Sequence, residues 1–205
     1  MTTPLATTDY DVLNVVALKK MATADAIAED CGLDASTVDA VLVTLADQGL
    51  VIAAAGSAFP TDDAVPALAV AAARRYADLR ADAGIAPLVT RFETVNTQLL
   101  ETMSAWQQVT VGGRKVANDH TDVDYDGKVI TRIDRLVQRL QPLLDALAAH
   151  DPRFATYGRR FAAALDGIDR GDHELVSSPV RDSVHTVWFE FHEDLLRTLG
   201  RDRTE

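Results

Sequence analysis

The stretch TADAIAEDCGLDASTVDAVLVTLADQGLV, Thr23–Val51, decides how the first third of the chain folds. Val38, Val41, Leu42 and Leu45 recur at helical spacing and give its second half a buried stripe. Gly32 can take the positive φ of a tight turn, and Ala28 is small enough to pack beneath it. Ala28, Gly32 and Val38 thus have the spacing of two helices meeting across a short turn. Upstream, Tyr10, Leu13, Val16 and Leu18 mark a first helix. Downstream, Gly49 ends the second helix of the pair, and LVIAAAGSAFPT alternates as two short strands turning at Gly56-Ser57. Residues 1–65 therefore read as a winged helix-turn-helix with a small β wing.

From Val65 onward the pattern is helical. PALAVAAARRYADLRADAG, with Pro66 in its first turn and Gly84 at its end, reads as a connecting helix over 66–84. Then follow IAPLVTRFETVNTQLLETMSAWQQV, a loop at VGGRKVANDHTDVDYDG, one long helix KVITRIDRLVQRLQPLLDALAAH, then PRFATYGRRFAAALDGIDRG and PVRDSVHTVWFEFHEDLLRTLGR. Helices with short connections predict an antiparallel helical bundle over 85–205, so the expected class is mainly α.

Of the 205 residues, 47% are hydrophobic, the composition of a chain with an ordinary core. No run of eighteen apolar residues exists, and MTTPLATTDYDV lacks the basic start and apolar stretch of a signal peptide, so the expected location is the cytoplasm, with no membrane contact. The single Cys31 reads as a small core residue. The net charge is -11, and residues 1–65 hold ten acids against two bases, Lys19 and Lys20.

That imbalance bears on what the helix-turn-helix could bind. DNA affinity comes from Lys and Arg on phosphates, and base reading from Arg, Lys, Asn or Gln on the second helix. The outward positions of that helix are Asp34, Ala35, Ser36, Asp39, Ala40 and Val43, none of them basic. A protein-docking face is favoured over a DNA-reading one.

Two further stretches could carry chemistry. In Asn118–Gly127, Asp122, Asp124, Asp126 and Gly127 match the first half of a calcium loop, but the position for the closing glutamate is Ile133. The alternative reading is that Asp124 or Asp126 caps a helix starting near Gly127; a third is a ligand contact made with Asn118 and His120. In VHTVWFEFHEDLL, Val184–Leu196, a helical advance of about 100° per residue puts His185, Trp188, His192 and Leu195 on one face. Glu190, Asp194 and Arg197 fall on the opposite, solvated one. The two histidines lie about 10.5 Å apart along the axis, too far to share one metal unaided. They are either core residues bonded to Asn96, Asp122 or a carbonyl, or part of a bundle pocket with Trp106 and Trp188.

Several segments together resemble a known family. Phe92 and Asn96 on a helix ending in Trp106-Gln107, then N-D-H-x-D-x-x-Y-D (Asn118 to Asp126), then S-P-x-x-D-S-x-H-x-V-W-F-E-x-H-E-D-L-L (Ser178 to Leu196) resemble the C-terminal region of short actinobacterial pyruvate phosphate dikinase and phosphoenolpyruvate synthase-like proteins. The resemblance covers residues 10–203. It implies a kinase-like or phosphotransferase partner. The chain itself shows no glycine-rich phosphate loop, no glycine-flanked phosphorylatable histidine and no barrel. The expected function is therefore a free-standing, non-catalytic accessory subunit, self-association being an additional expectation. No catalytic residue and no cofactor is expected, with a divalent metal at Asp122, Asp124 and Asp126 the alternative. The rival function is a winged-helix transcriptional regulator with a ligand-sensing helical domain.

Overall fold

The computed structural model describes residues 4–201. In chain order the elements are α1 (Thr7–Lys19), β1 (Ala22–Thr23), α2 (Ala24–Cys31), α3 (Ala35–Asp47), β2 (Val51–Ala54), β3 (Ser57–Pro60), α4 (Ala64–Arg75) and α5 (Ala77–Ala81). Then come α6 (Ile85–Gln107), β4 (Gln108–Val111), β5 (Arg114–Ala117), α7 (Val123–Gln138), α8 (Gln141–His150), α9 (Ala155–Asp169) and α10 (Val184–Leu199). The described residues are mainly helical with two small antiparallel sheets. Among the described residues no helix is long and apolar enough to cross a membrane.

The described residues fall into two compact units, 4–81 with 189–201, and 82–188. The expected boundaries at 65 and 84 shift accordingly: α4 and α5 belong with the N-terminal elements, and so do the last residues of the chain. The predicted connecting helix is two, interrupted at Tyr76, whose φ and ψ of -109° and 22° leave the helical region.

In the first unit, α2 and α3 meet as the spacing predicts. Thr23 caps α2 and Asp34 caps α3, while Gly32 ends α2 at φ 66° with its N–H on the Ala28 carbonyl. Val38 and Leu45 are fully buried, and Leu42 is only half-buried. Cys31, expected in the core, is also half-buried. The strands pair in the order β1-β3-β2. The β2–β3 turn is Ala55-Gly56, both at positive φ, one residue earlier than expected, with Ala54 opposite Ser57.

The C-terminal part of α10 lies in this unit, and it corrects the predicted solvated face. Asp194 is 0% exposed and Glu190 4%. Buried carboxylates need partners, and α1 provides them. The Asn14 amide nitrogen donates to Asp194 at 3.1 Å, while Arg197 donates to the Asn14 carbonyl oxygen. Lys19 bridges Asp30 at 3.1 Å and Glu190 at 3.5 Å. Arg80 caps α10, its Nε donating to the Thr198 carbonyl at 2.7 Å and its Nη2 to that of Arg197 at 3.1 Å.

In the second unit, α6 to α9 and the first turns of α10 surround an apolar core of Phe92, Leu99, Ile133, Phe154, Phe161 and Trp188. Each of these rings and branched chains contributes about 1.5–3 kcal/mol by leaving water. The helix expected to run unbroken from Lys128 is two helices, separated at Arg139-Leu140. Pro142 explains the break: it offers no N–H to the preceding turn and sits at the start of α8, where none is needed. The segment expected as a loop after Val111 begins instead with the β4–β5 hairpin, whose turn is Gly112-Gly113. Gly167 in α9 leaves room for the following short turn: an added Cβ would lie 2.1 Å from Leu175 Cδ1, so that side chain would have to move.

The buried α1–α10 network makes a quantitative prediction. Asp194→Ala leaves the Asn14 amide without its acceptor and should cost about 3 kcal/mol in urea unfolding. Asp39→Ala on the exposed side of α3 should stay within about 0.5 kcal/mol of the parent.

Candidate functional site

The strongest polar constellation gathers around the end of α6 and the start of α7, in the second unit. The β4–β5 hairpin returns the chain, so the Asn118 N–H donates to the Gln107 carbonyl at 2.9 Å. Asn118 then turns its side chain inward. Its amide nitrogen donates to the Trp106 carbonyl at 3.0 Å and to Asp126 Oδ1 at 2.8 Å. His120 Nδ1 lies 2.9 Å from Asp126 Oδ2 and 3.2 Å from the same Asn118 nitrogen.

Counting protons fixes the tautomer of His120. An amide nitrogen carries two hydrogens, and those of Asn118 are directed at Trp106 and Asp126. None remains for His120 Nδ1, so Nδ1 carries its own hydrogen and donates it to Asp126. Nε2 is the second ring nitrogen of a side chain that is 40% exposed. The ring packs on Trp106 with centroids 4.3 Å apart, and His173 meets the other aromatic at 6.1 Å, edge on.

Holding the ring there requires φ 57° at His120, a left-handed conformation that costs a non-glycine residue about 1 kcal/mol. Local bonds offset it. Asn118 Oδ1 accepts the His120 N–H at 3.2 Å, and Asp119 accepts from both the N–H and the hydroxyl of Thr121. The Thr121 donors hold the Asp119 carboxyl below the usual carboxylate range.

Two of the three carboxylates expected as metal ligands, Asp122 and Asp126, are otherwise engaged. Asp122 is the cap of α7, accepting from the Tyr125 N–H at 2.9 Å, so the helix starts four residues before the expected Gly127. Asp126 is buried on Asn118 and His120, and Asp124 is exposed. Among the described residues no group of three or more His, Cys, Asp or Glu is placed to hold a metal ion.

The candidate pocket of Asn96, Trp106, Asn118, His120, Asp122, His185, Trp188 and His192 therefore separates into parts. Trp106, Asn118 and His120 come together, joined by Asp126. Asn96 accepts from the Trp188 indole at 2.9 Å, not from a histidine, and Trp188 stacks on Phe92 at 5.9 Å. His185 is half-buried in the second unit, while His192 is buried in the first. The candidate residues omit Tyr125, which stands in the N-D-H-x-D-x-x-Y-D motif and whose hydroxyl donates to the Ala105 carbonyl at 2.9 Å, and His173 against Trp106. No spacing signal marks His173. The hairpin was detectable, since Val-Thr-Val-Gly-Gly-Arg-Lys-Val alternates around a Gly-Gly pair.

Compared with known protein families, curated proteins and solved structures, the chain matches none.

Asp126→Ala strands the donors of Asn118 and His120 and should cost about 2 kcal/mol, with a shift in Trp106 fluorescence read in a Trp188→Phe background. Asp124→Ala should leave both within error, a change of at most about 0.5 kcal/mol. A second outcome concerns pH. Burial pulls the His185 pKa below its ordinary 6.5. The unfolded chain then binds this proton more readily than the folded one, so the contribution is complete above pH about 6.5 and is lost as pH falls through the folded value. His185→Gln should flatten that limb in denaturation curves; an unchanged acid limb would assign the loss to another group.

Proposed function

We propose that the first unit is a winged helix used for protein docking, and that the chain is a non-catalytic accessory or regulatory subunit of a phosphoenolpyruvate- or ATP-dependent phosphotransferase. The observation that carries the docking half is the composition of the exposed α3 face. Asp34, Ser36, Asp39 and Val43 all face outward, with Ala35, Ala40, Thr44 and Asp47 beside them and no base among them. Val43 is 63% exposed, and Ile52 on the adjoining hairpin 57%. An acidic face with exposed aliphatic side chains suits a protein partner carrying apolar residues within a basic rim, and repels phosphates.

The charge on this face is durable. Asp34 accepts from the Thr37 N–H at 2.8 Å and from the Ser36 and Thr37 hydroxyls, which hold its carboxyl well below the usual carboxylate range. Nor do the two lysines of this region offset it together. Lys19 is drawn between Asp30 and Glu190, leaving Lys20 as the exposed base of the pair. The phosphotransferase half rests on the sequence resemblance of Ser178–Leu196 and Asn118–Asp126.

Affinity capture of the tagged chain from its native host tests both halves. A kinase-like subunit that binds ATP or phosphoenolpyruvate should be recovered with the parent protein, and its yield should fall about tenfold with Asp39→Arg or Val43→Arg. Recovery of the chain alone, or a sequence-specific mobility shift at low salt on DNA upstream of its own gene, would overturn the reading.

A further inference from the structure

The stripe along α4 is chemically unlike the rest of the first unit. Asp63, Pro66, Ala67, Val70 and Arg74 share one outward side of the helix, because positions 63 and 74 are eleven residues, about three turns, apart. Val70 is 57% exposed at its centre. Together with residues 4–7 the stripe lines an open groove of about 760 Å³. Its two ends carry opposite charges, about 16.5 Å apart along the axis.

Both end charges are available. Asp63 stands at the N-terminus of α4 but makes no capping hydrogen bond. Neither it nor Arg74 forms an ion pair among the described residues, whereas the neighbouring Arg75 is committed to Asp11 at 2.7 Å. A small anion or cation would satisfy one end and leave the other exposed beside an apolar centre. A second α4 running antiparallel satisfies both at once. With the two-fold axis midway between Asp63 and Arg74, each Asp63 faces Arg74 of the second copy, and each Ala67 faces its Val70, small against large. Self-complementarity of this kind is what an isologous contact requires.

We propose that α4 is a two-fold self-association face, occupied by α4 of a second copy of this chain. In a chain with net charge -11, a stripe whose charges cancel also spares two copies the repulsion that an acidic face would bring.

Sedimentation equilibrium on the full chain tests this, with twice the 22.2 kDa monomer mass expected. Asp63→Arg and Arg74→Asp each place like charges across the axis and should weaken association about tenfold or more. The double variant restores opposite charges and should return to within about threefold of the parent. Within one chain the two positions are too far apart to pair, so this rescue reads contact between copies. Circular dichroism checks folding of each variant, and Val70→Lys, a central exposed change, should also separate the copies. A parent that stays monomeric at about 100 µM would overturn the proposal. So would a dimer indifferent to these substitutions, single variants without rescue, or a monomer found by native mass spectrometry to carry a small molecule in the groove.

Discussion

The pairing of Asn14 with Asp194 and Arg197 is the contact on which the first unit depends. A carboxylate with no exposure has given up its hydration and is tolerable only if its surroundings replace it. Asn14 does so with one amide group, donating to Asp194 and accepting from Arg197. Because both partners are one turn apart on α10, a single side chain on α1 sets the rotation of that helix. Lys19 repeats the arrangement one turn further along, reaching Glu190, so α1 and this part of α10 run antiparallel in fixed register. Hydrophobic packing alone would allow a helix of this composition to rotate; buried polar pairs of this geometry do not.

The same contact explains where sequence reading succeeded and where it failed. Periodicity locates helices well, and the α2–α3 pair, the strands after Gly49 and most of the later helices are legible from it. Periodicity cannot distinguish a charged face that meets water from one that meets an amide and an ammonium. Glu190, Asp194 and Arg197 look solvated because charge usually is, and the information that they are not resides at Asn14 and Lys19, some 171 to 183 positions away in the chain. Pro142 is a different kind of miss: the break it imposes is local, but an apolar pattern continuing on both sides masks it. The candidate pocket failed for a third reason. Residues on one side of one helix need not face one environment, and α10 carries His185 in the second unit and His192 in the first.

Charge bookkeeping also changes once side chains are placed. Ten acids and two bases in the first 65 residues read as a uniform field. In the structure Asp30 neutralises Lys19 internally, and Asp11 neutralises Arg75, which also lies over the Tyr10 ring at 5.0 Å. What remains outward is locally distinct: acids and aliphatics on α3, and opposite charges flanking apolar residues on α4. One net charge therefore divides into two surfaces with different binding chemistry.

The acidic loop shows why a run of aspartates is poor testimony for a cation. An aspartate in a turn finds N–H and O–H donors within three residues, and each such bond uses a lone pair that a metal would need. Asp119 is engaged by Thr121, Asp122 by Tyr125 and Asp126 by Asn118 and His120. Those bonds end one hairpin, start one helix and hold an imidazole in a left-handed backbone conformation. They also set the His120 ring against Trp106, with centroids 4.3 Å apart.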